Sequence, residues 1–302
     1  MSEDAAPPAA LPPAALPPAA LPPAAVPPEA VPPEALPPEA LPADAALWER
    51  LRAATPARIA LGRVGHTLPL DAVLTFQLDH ARARDAVHAP FDAAALAAEL
   101  APLATITLDS AAPDRTTYLR RPDLGRRLSD AGAALLKQAV QADPAIAGRD
   151  VAIVIGDGLS ATGVQAGAAA LVHAILAELR GLTVAPVVIA TGARVALGDA
   201  IGAGLRARVV IVVIGERPGL SVADSLGVYL TFGPRPGRAD SERNCISNIH
   251  ARGGLAPAAA AAILGRLVRD ALRLGLSGVE LKDVGEALPA PERPAAEQKD
   301  PR

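Results

Sequence analysis

Val209 to Leu220 reads VVIVVIGERPGL, and the break inside it decides the fold class. Six apolar residues in a row predict a strand covered on both faces, as in the middle of a parallel sheet. Gly215, Glu216, Arg217, Pro218 and Gly219 mark the point where the chain leaves that sheet. A carboxylate and a guanidinium therefore emerge at a strand's carboxyl end, the edge where open α/β sheets bind ligands.

The same scheme recurs upstream. DVAIVIGDGLSA at Asp150 to Ala161 reads as strand, glycine turn and the start of a helix running to Arg180, and VAPVVIATGARV at Val184 to Val195 as the next strand and loop. Strand and helix in alternation predict a parallel sheet. Downstream, GVYLTFGP from Gly227 and NCISNIH from Asn244 supply two further extended segments, the second polar, and Pro257 to Leu274 closes the pattern with a long helix.

Towards the amino terminus the signals are helical. Asp44 can cap a helix through Leu47, Trp48 and Leu51 that stops near Thr55-Pro56. A second helix carries Leu74, Phe76 and Leu78 and ends about Val87, and a third spans Phe91 to Leu100. An extended stretch from Ala104 to Ser110 leads to Arg120, Arg121, Arg126 and Arg127, a cluster suited to phosphate or to a partner's carboxylates. Residues 1–42 repeat a five-residue unit from PPAAL at Pro7 to PPEAL at Pro37. Paired prolines block helix and sheet alike, so a polyproline II spacer without packed structure is expected. Residues 284–302 turn to Pro, Ala, Glu and Lys, the composition of a disordered tail.

Composition excludes several classes. A net charge of -3 from nearly balanced acids and bases offers no field for nucleic acid or an anionic membrane. Aromatic residues are 2% of the chain, too few to build base-stacking platforms. No uninterrupted apolar stretch reaches transmembrane length. A single cysteine, Cys245, rules out an internal disulfide framework and any multi-cysteine metal site, and points to a reducing cytoplasm.

Short motifs are less informative. Gly156, Gly158 and Ala161 match G-x-G-x-x-A after a strand, but the next strand ends in Ala190, Thr191, Gly192, Ala193 and Arg194, without the acid a nicotinamide ribose needs. Asp157 inside the turn also disfavours a pyrophosphate, so a tight strand-to-helix turn is the better reading. Ser160 does not sit in a G-x-S-x-G elbow. His66, His80, His88, His173 and His250 lack metal-ligand spacing. Taken as residues alone, Glu216 reads as half of a salt bridge with Arg217, and Val195 and Cys245 as core residues.

Longer blocks say more. TPARIALGRVG from Thr55, FQLDHARARDAV, YLRRPDLGRRLS, IGDGLSA, IGERPGLSVADSLGVYLTFGPRPG, ERNCISNIHARGGL and LSGVELKD, in unbroken order to Asp283, resemble the small (light) chain of ethanolamine ammonia-lyase. The resemblance implies an α/β fold: a Rossmann-like parallel sheet with flanking helices forming a cobalamin-binding domain at 131–283, preceded by a mostly helical region at 43–130 and the disordered Pro/Ala-rich leader. It implies adenosylcobalamin held between this chain and a large barrel-forming subunit, with cofactor contacts at Val195, Glu216 and Cys245 and no catalytic residue here. The hetero-oligomer then converts ethanolamine to acetaldehyde and ammonia by radical chemistry. The D-x-H-x-x-G pattern of cobalt-ligating histidine is missing, so base-on cobalamin is expected. A cytoplasmic location follows, and the leader raises packaging in a bacterial microcompartment. Two alternatives stand beside this one: a stand-alone nucleotide-binding oxidoreductase of Rossmann type, and a non-catalytic assembly subunit.

Overall fold

The computed structural model describes residues 45–55, 57–283 and 285. The expectations placed on the leader, on Asp44, on Pro56 and, save Gly285, on the tail lie outside these residues. The chain divides into two units, one ending at Ala60 and the other beginning at Leu61. Helix α1 (Ala45–Ala53) belongs to the first. The second opens with α2 (Leu70–His88), α3 (Ala93–Glu99), β1 (Thr105–Asp109), α4 (Arg115–Arg120) and α5 (Asp130–Ala142). Strands and helices then alternate as β2 (Val151–Gly156), α6 (Ala161–Glu178), β3 (Val187–Thr191), α7 (Leu197–Gly204) and β4 (Val209–Gly215). β5 (Leu226–Phe232), β6 (Arg243–Ile249) and α8 (Pro257–Leu274) complete it.

All six strands form one sheet in the order β1-β3-β2-β4-β5-β6. β1, β3, β2 and β4 run parallel, whereas β5 runs antiparallel to both its neighbours, β4 and β6. The expected parallel sheet holds for β1 to β4, and the reversed β5 makes the sheet as a whole a mixed one. Only the loop from Glu216 to Ser225 joins β4 to β5. A parallel return needs a crossover of a dozen or more residues, usually with a helix, so a shorter loop sends β5 back antiparallel.

Every residue of β2 and β4 is buried, as two-sided coverage requires. One face, with Ile153, Ile155, Ile211, Val213 and Leu230, packs on α6 and α8. On the other, Val154, Val188, Val210 and Val212 meet Leu197 and Ile201 of α7. A buried ion pair staples the far edge: Arg243 on β6 donates from Nη1 and Nη2 to Asp199 of α7 at 2.6 and 2.7 Å, and to Thr231 Oγ1 at 3.0 Å. Both side chains are 2% exposed.

Candidate functional site

From β2 the chain steps to β3 on one side, then from β3 across to β4 on the other. The order therefore reverses between β2 and β4, and the crevice beyond their carboxyl ends is where such sheets hold ligands. Here the Gly-Asp-Gly turn after β2 packs directly on the end of β4. Leu159 N–H donates to Gly215 O at 3.0 Å. A Cβ on Gly158, which sits at φ +56°, would lie 2.2 Å from Gly215 O, and one on Gly215 equally close to Ser160 O. Both glycines are needed for this backbone contact.

The first turn of α6 is also covered. A Cβ on Gly163 would meet the Asp224 backbone at 2.9 Å, so the helix terminus that a pyrophosphate would use is occupied by protein. Ser160 is fully buried. Its Oγ accepts from Gly163 N–H at 3.0 Å and donates to Ala223 O at 2.7 Å. It is an N-cap, with no free hydroxyl for nucleophilic work.

Asp157, 4% exposed, braces the neighbouring loop. Oδ1 accepts from Ala193 N–H at 2.9 Å and Oδ2 pairs with Arg115 at 3.1 Å. Arg115 also donates to Gly158 O at 2.8 Å and to Val87 O, at the end of α2, at 2.7 Å. Burial pushes the Asp157 carboxyl above its usual range, against the Ala193 N–H and Arg115, which lower it. Arg115 and Arg194 lie over the Tyr118 ring at 4.8 and 4.3 Å. The Tyr118 hydroxyl donates to Ala193 O at 3.1 Å, and burial pushes that phenol up to about 12. Both backbone groups of Ala193 are thus held from other elements, and the loop leading to Val195 is fixed.

Val195 and Glu216, expected from sequence, line one cavity of about 280 Å³ with Leu159, Ile214 and Tyr229. Glu216 does not pair with Arg217, which is exposed. Its carboxylate accepts instead from Ser225 Oγ at 2.5 Å and from Asn248 N–H at 3.2 Å. Asn248 has φ +60° and lies where the β5–β6 register shifts. Such a bulge re-aims the backbone beside a site.

Cys245 is exposed, not a core cysteine. In the register it faces Tyr229. Partial burial, then the Glu216 charge, push the thiol up, against Tyr229, which lowers it. Partial burial and the neighbouring thiol carry the Tyr229 phenol up to about 12. Tyr229 is the residue that sequence reasoning missed. Its alternation with the buried Val228 and Leu230 is the only signal it offers.

Other candidates do not form sites. Arg121 chelates Asp123 at 2.9 and 2.8 Å and Arg127 approaches the same carboxylate at 3.9 Å, so the arginine cluster is partly neutralised. A cavity of about 630 Å³ opens beside His88, Asp109 and Ser110, but its Arg115 and Asp157 are engaged with each other. Among the described residues no group of three or more His, Cys, Asp or Glu could hold a metal ion, and no helix is long and apolar enough to cross a membrane.

Comparison with known proteins gives a consistent picture. A family model described as "Ethanolamine ammonia-lyase light chain (EutC)" matches residues 45–282. An ethanolamine ammonia-lyase small subunit of Xanthomonas campestris is 54% identical over 240 residues, 78% of this chain and 87% of the relative. One from Bradyrhizobium diazoefficiens is 55% identical over 240 residues, covering 77% and 89%. One from Ralstonia nicotianae is 51% identical over 243 residues, covering 79% and 89%.

Proposed function

Because the chain belongs to the ethanolamine ammonia-lyase light-chain family, we propose that it is the small subunit of that enzyme, clamping adenosylcobalamin against a large catalytic subunit. The observation that carries this reading is the meeting of Val195 and Glu216 in one cavity, bordered by Tyr229 and its partner Cys245.

The residues suit a corrin. Val195 offers apolar cover to the macrocycle, and Glu216 keeps lone pairs for the amides that fringe it. Cys245 is small and exposed, so it permits close approach. Gly227 makes the fit possible: a Cβ there would stand 3.0 Å from Glu216 Oε1 and 3.4 Å from the Tyr229 ring. When bound, the cofactor supplies the radical chemistry that turns ethanolamine into acetaldehyde and ammonia, and this chain's part is to seat it and exclude water. The base-on form belongs to the same reading, since no histidine motif for cobalt is present.

The parallel strands β2, β3 and β4, reversing between β2 and β4, support describing 131–283 as a Rossmann-like cofactor domain, with 43–130, which adds the edge strand β1, as the region before it. A cytoplasmic setting completes the proposal. Co-expression with the large subunit and addition of adenosylcobalamin should yield ammonia from ethanolamine, while either chain alone yields none. Ammonia from this chain unaccompanied would contradict the proposal. Nicotinamide binding by the isolated chain would favour the oxidoreductase alternative.

A further inference from the structure

Among the described residues α6 and α8 pack on β5 and β6, where they meet Val228, Leu230 and Ile246 on one face. On the opposite face α7 packs on β2 and β4. The Asp199–Arg243 pair joins α7 to the Thr231 end of this face. Two positions along the register stand Tyr229 and Cys245, the first half-buried and the second exposed. Side chains at alternate positions of paired strands share a face. The half-buried phenol ring therefore packs at the margin of the α7 cluster and turns its remaining surface to the cavity that it lines with Val195 and Glu216, opposite Cys245 in the register.

We propose that Tyr229 is a further cofactor contact, its ring extending the apolar cover that Val195 gives to the side of cobalamin that this chain meets. This rests on the cobalamin reading above and extends it to a residue outside the three positions that the family resemblance supplied. A macrocycle spanning Val195, Glu216 and Cys245 must cover the side chain between them. An aromatic ring gives broad rigid contact area to such a partner. The hydroxyl, beside the Cys245 thiol, is not the main source of affinity.

The test is an absorbance titration of hydroxocobalamin into the complex co-expressed with the large subunit, with thermal unfolding of each variant in parallel. Tyr229→Ala should weaken binding about tenfold or more, whereas Tyr229→Phe, which keeps the ring, should stay within about threefold of wild type. Should Tyr229→Ala fail to assemble, Tyr229→Leu retains apolar bulk, loses the ring, and should still weaken binding about fivefold. Glu216→Ala and Val195→Asp run beside them. If these two weaken binding while Tyr229→Ala and Tyr229→Leu do not, the Tyr229 contact is wrong and the cobalamin reading stands. If none of the variants alters binding, both fail.

Discussion

Asp199→Ala is expected to cost about 3–5 kcal/mol of stability, the range found when one member of a buried ion pair is removed. Both side chains of the pair are 2% exposed. The damage comes from the guanidinium left behind. Burial works against the Arg243 charge, but the Asp199 bonds outweigh it and hold the pKa above the usual arginine value. Without Asp199 the remaining carboxylate is Asp240, at 3.4 Å from Nε with its side chain 80% exposed, and a solvated partner compensates little. Asp240→Ala should therefore cost less than about 1 kcal/mol. Urea unfolding followed by circular dichroism separates the two. Equal, small losses would mean that the pair does not staple α7 to β6.

Val195→Asp is expected to weaken cobalamin binding by the co-expressed complex about thirtyfold to a thousandfold. Placing a charge beneath an apolar ring costs on the order of 2–4 kcal/mol. Glu216→Ala should act less directly. It removes an acceptor facing the cavity, and it also releases the Ser225 hydroxyl and the Asn248 N–H, loosening the bulge. Glu216→Gln keeps an acceptor for both and should recover part of the loss. Affinity unchanged in Val195→Asp would move the cofactor away from this loop.

Much of this architecture was legible from local patterns. A central strand buried on both faces must be apolar throughout, so β4 and β2 announced themselves. Proline at the first helical position and glycine just past the last made α8 readable at both ends, and Gly275 does adopt φ +74°. Strand direction was a different matter. It depends on how much chain is available to cross over, and the short links to β5 and β6 carry no hydrophobic period.

The site divided in the same way. Glu216 and Val195 follow strand ends but were marked as site residues only by the family resemblance, whereas their partners were hidden by distance along the chain. Asp157 reads as a charge misplaced in a phosphate turn until Arg115 and the Ala193 N–H are brought to it. Tyr118 gains meaning only when Arg115 and Arg194 close on its ring. Cys245 defied the usual burial of lone cysteines because it lies on β6, the edge strand of the sheet, beyond Arg243, where α7 reaches that face.

Electron cryomicroscopy of the co-expressed two-subunit complex with cobalamin bound tests the central claim most directly. The account expects the macrocycle in contact with Val195, Glu216 and Cys245, with the large subunit over its other face. Cobalamin enclosed by the large subunit alone, away from the ends of β3 and β4, would contradict it.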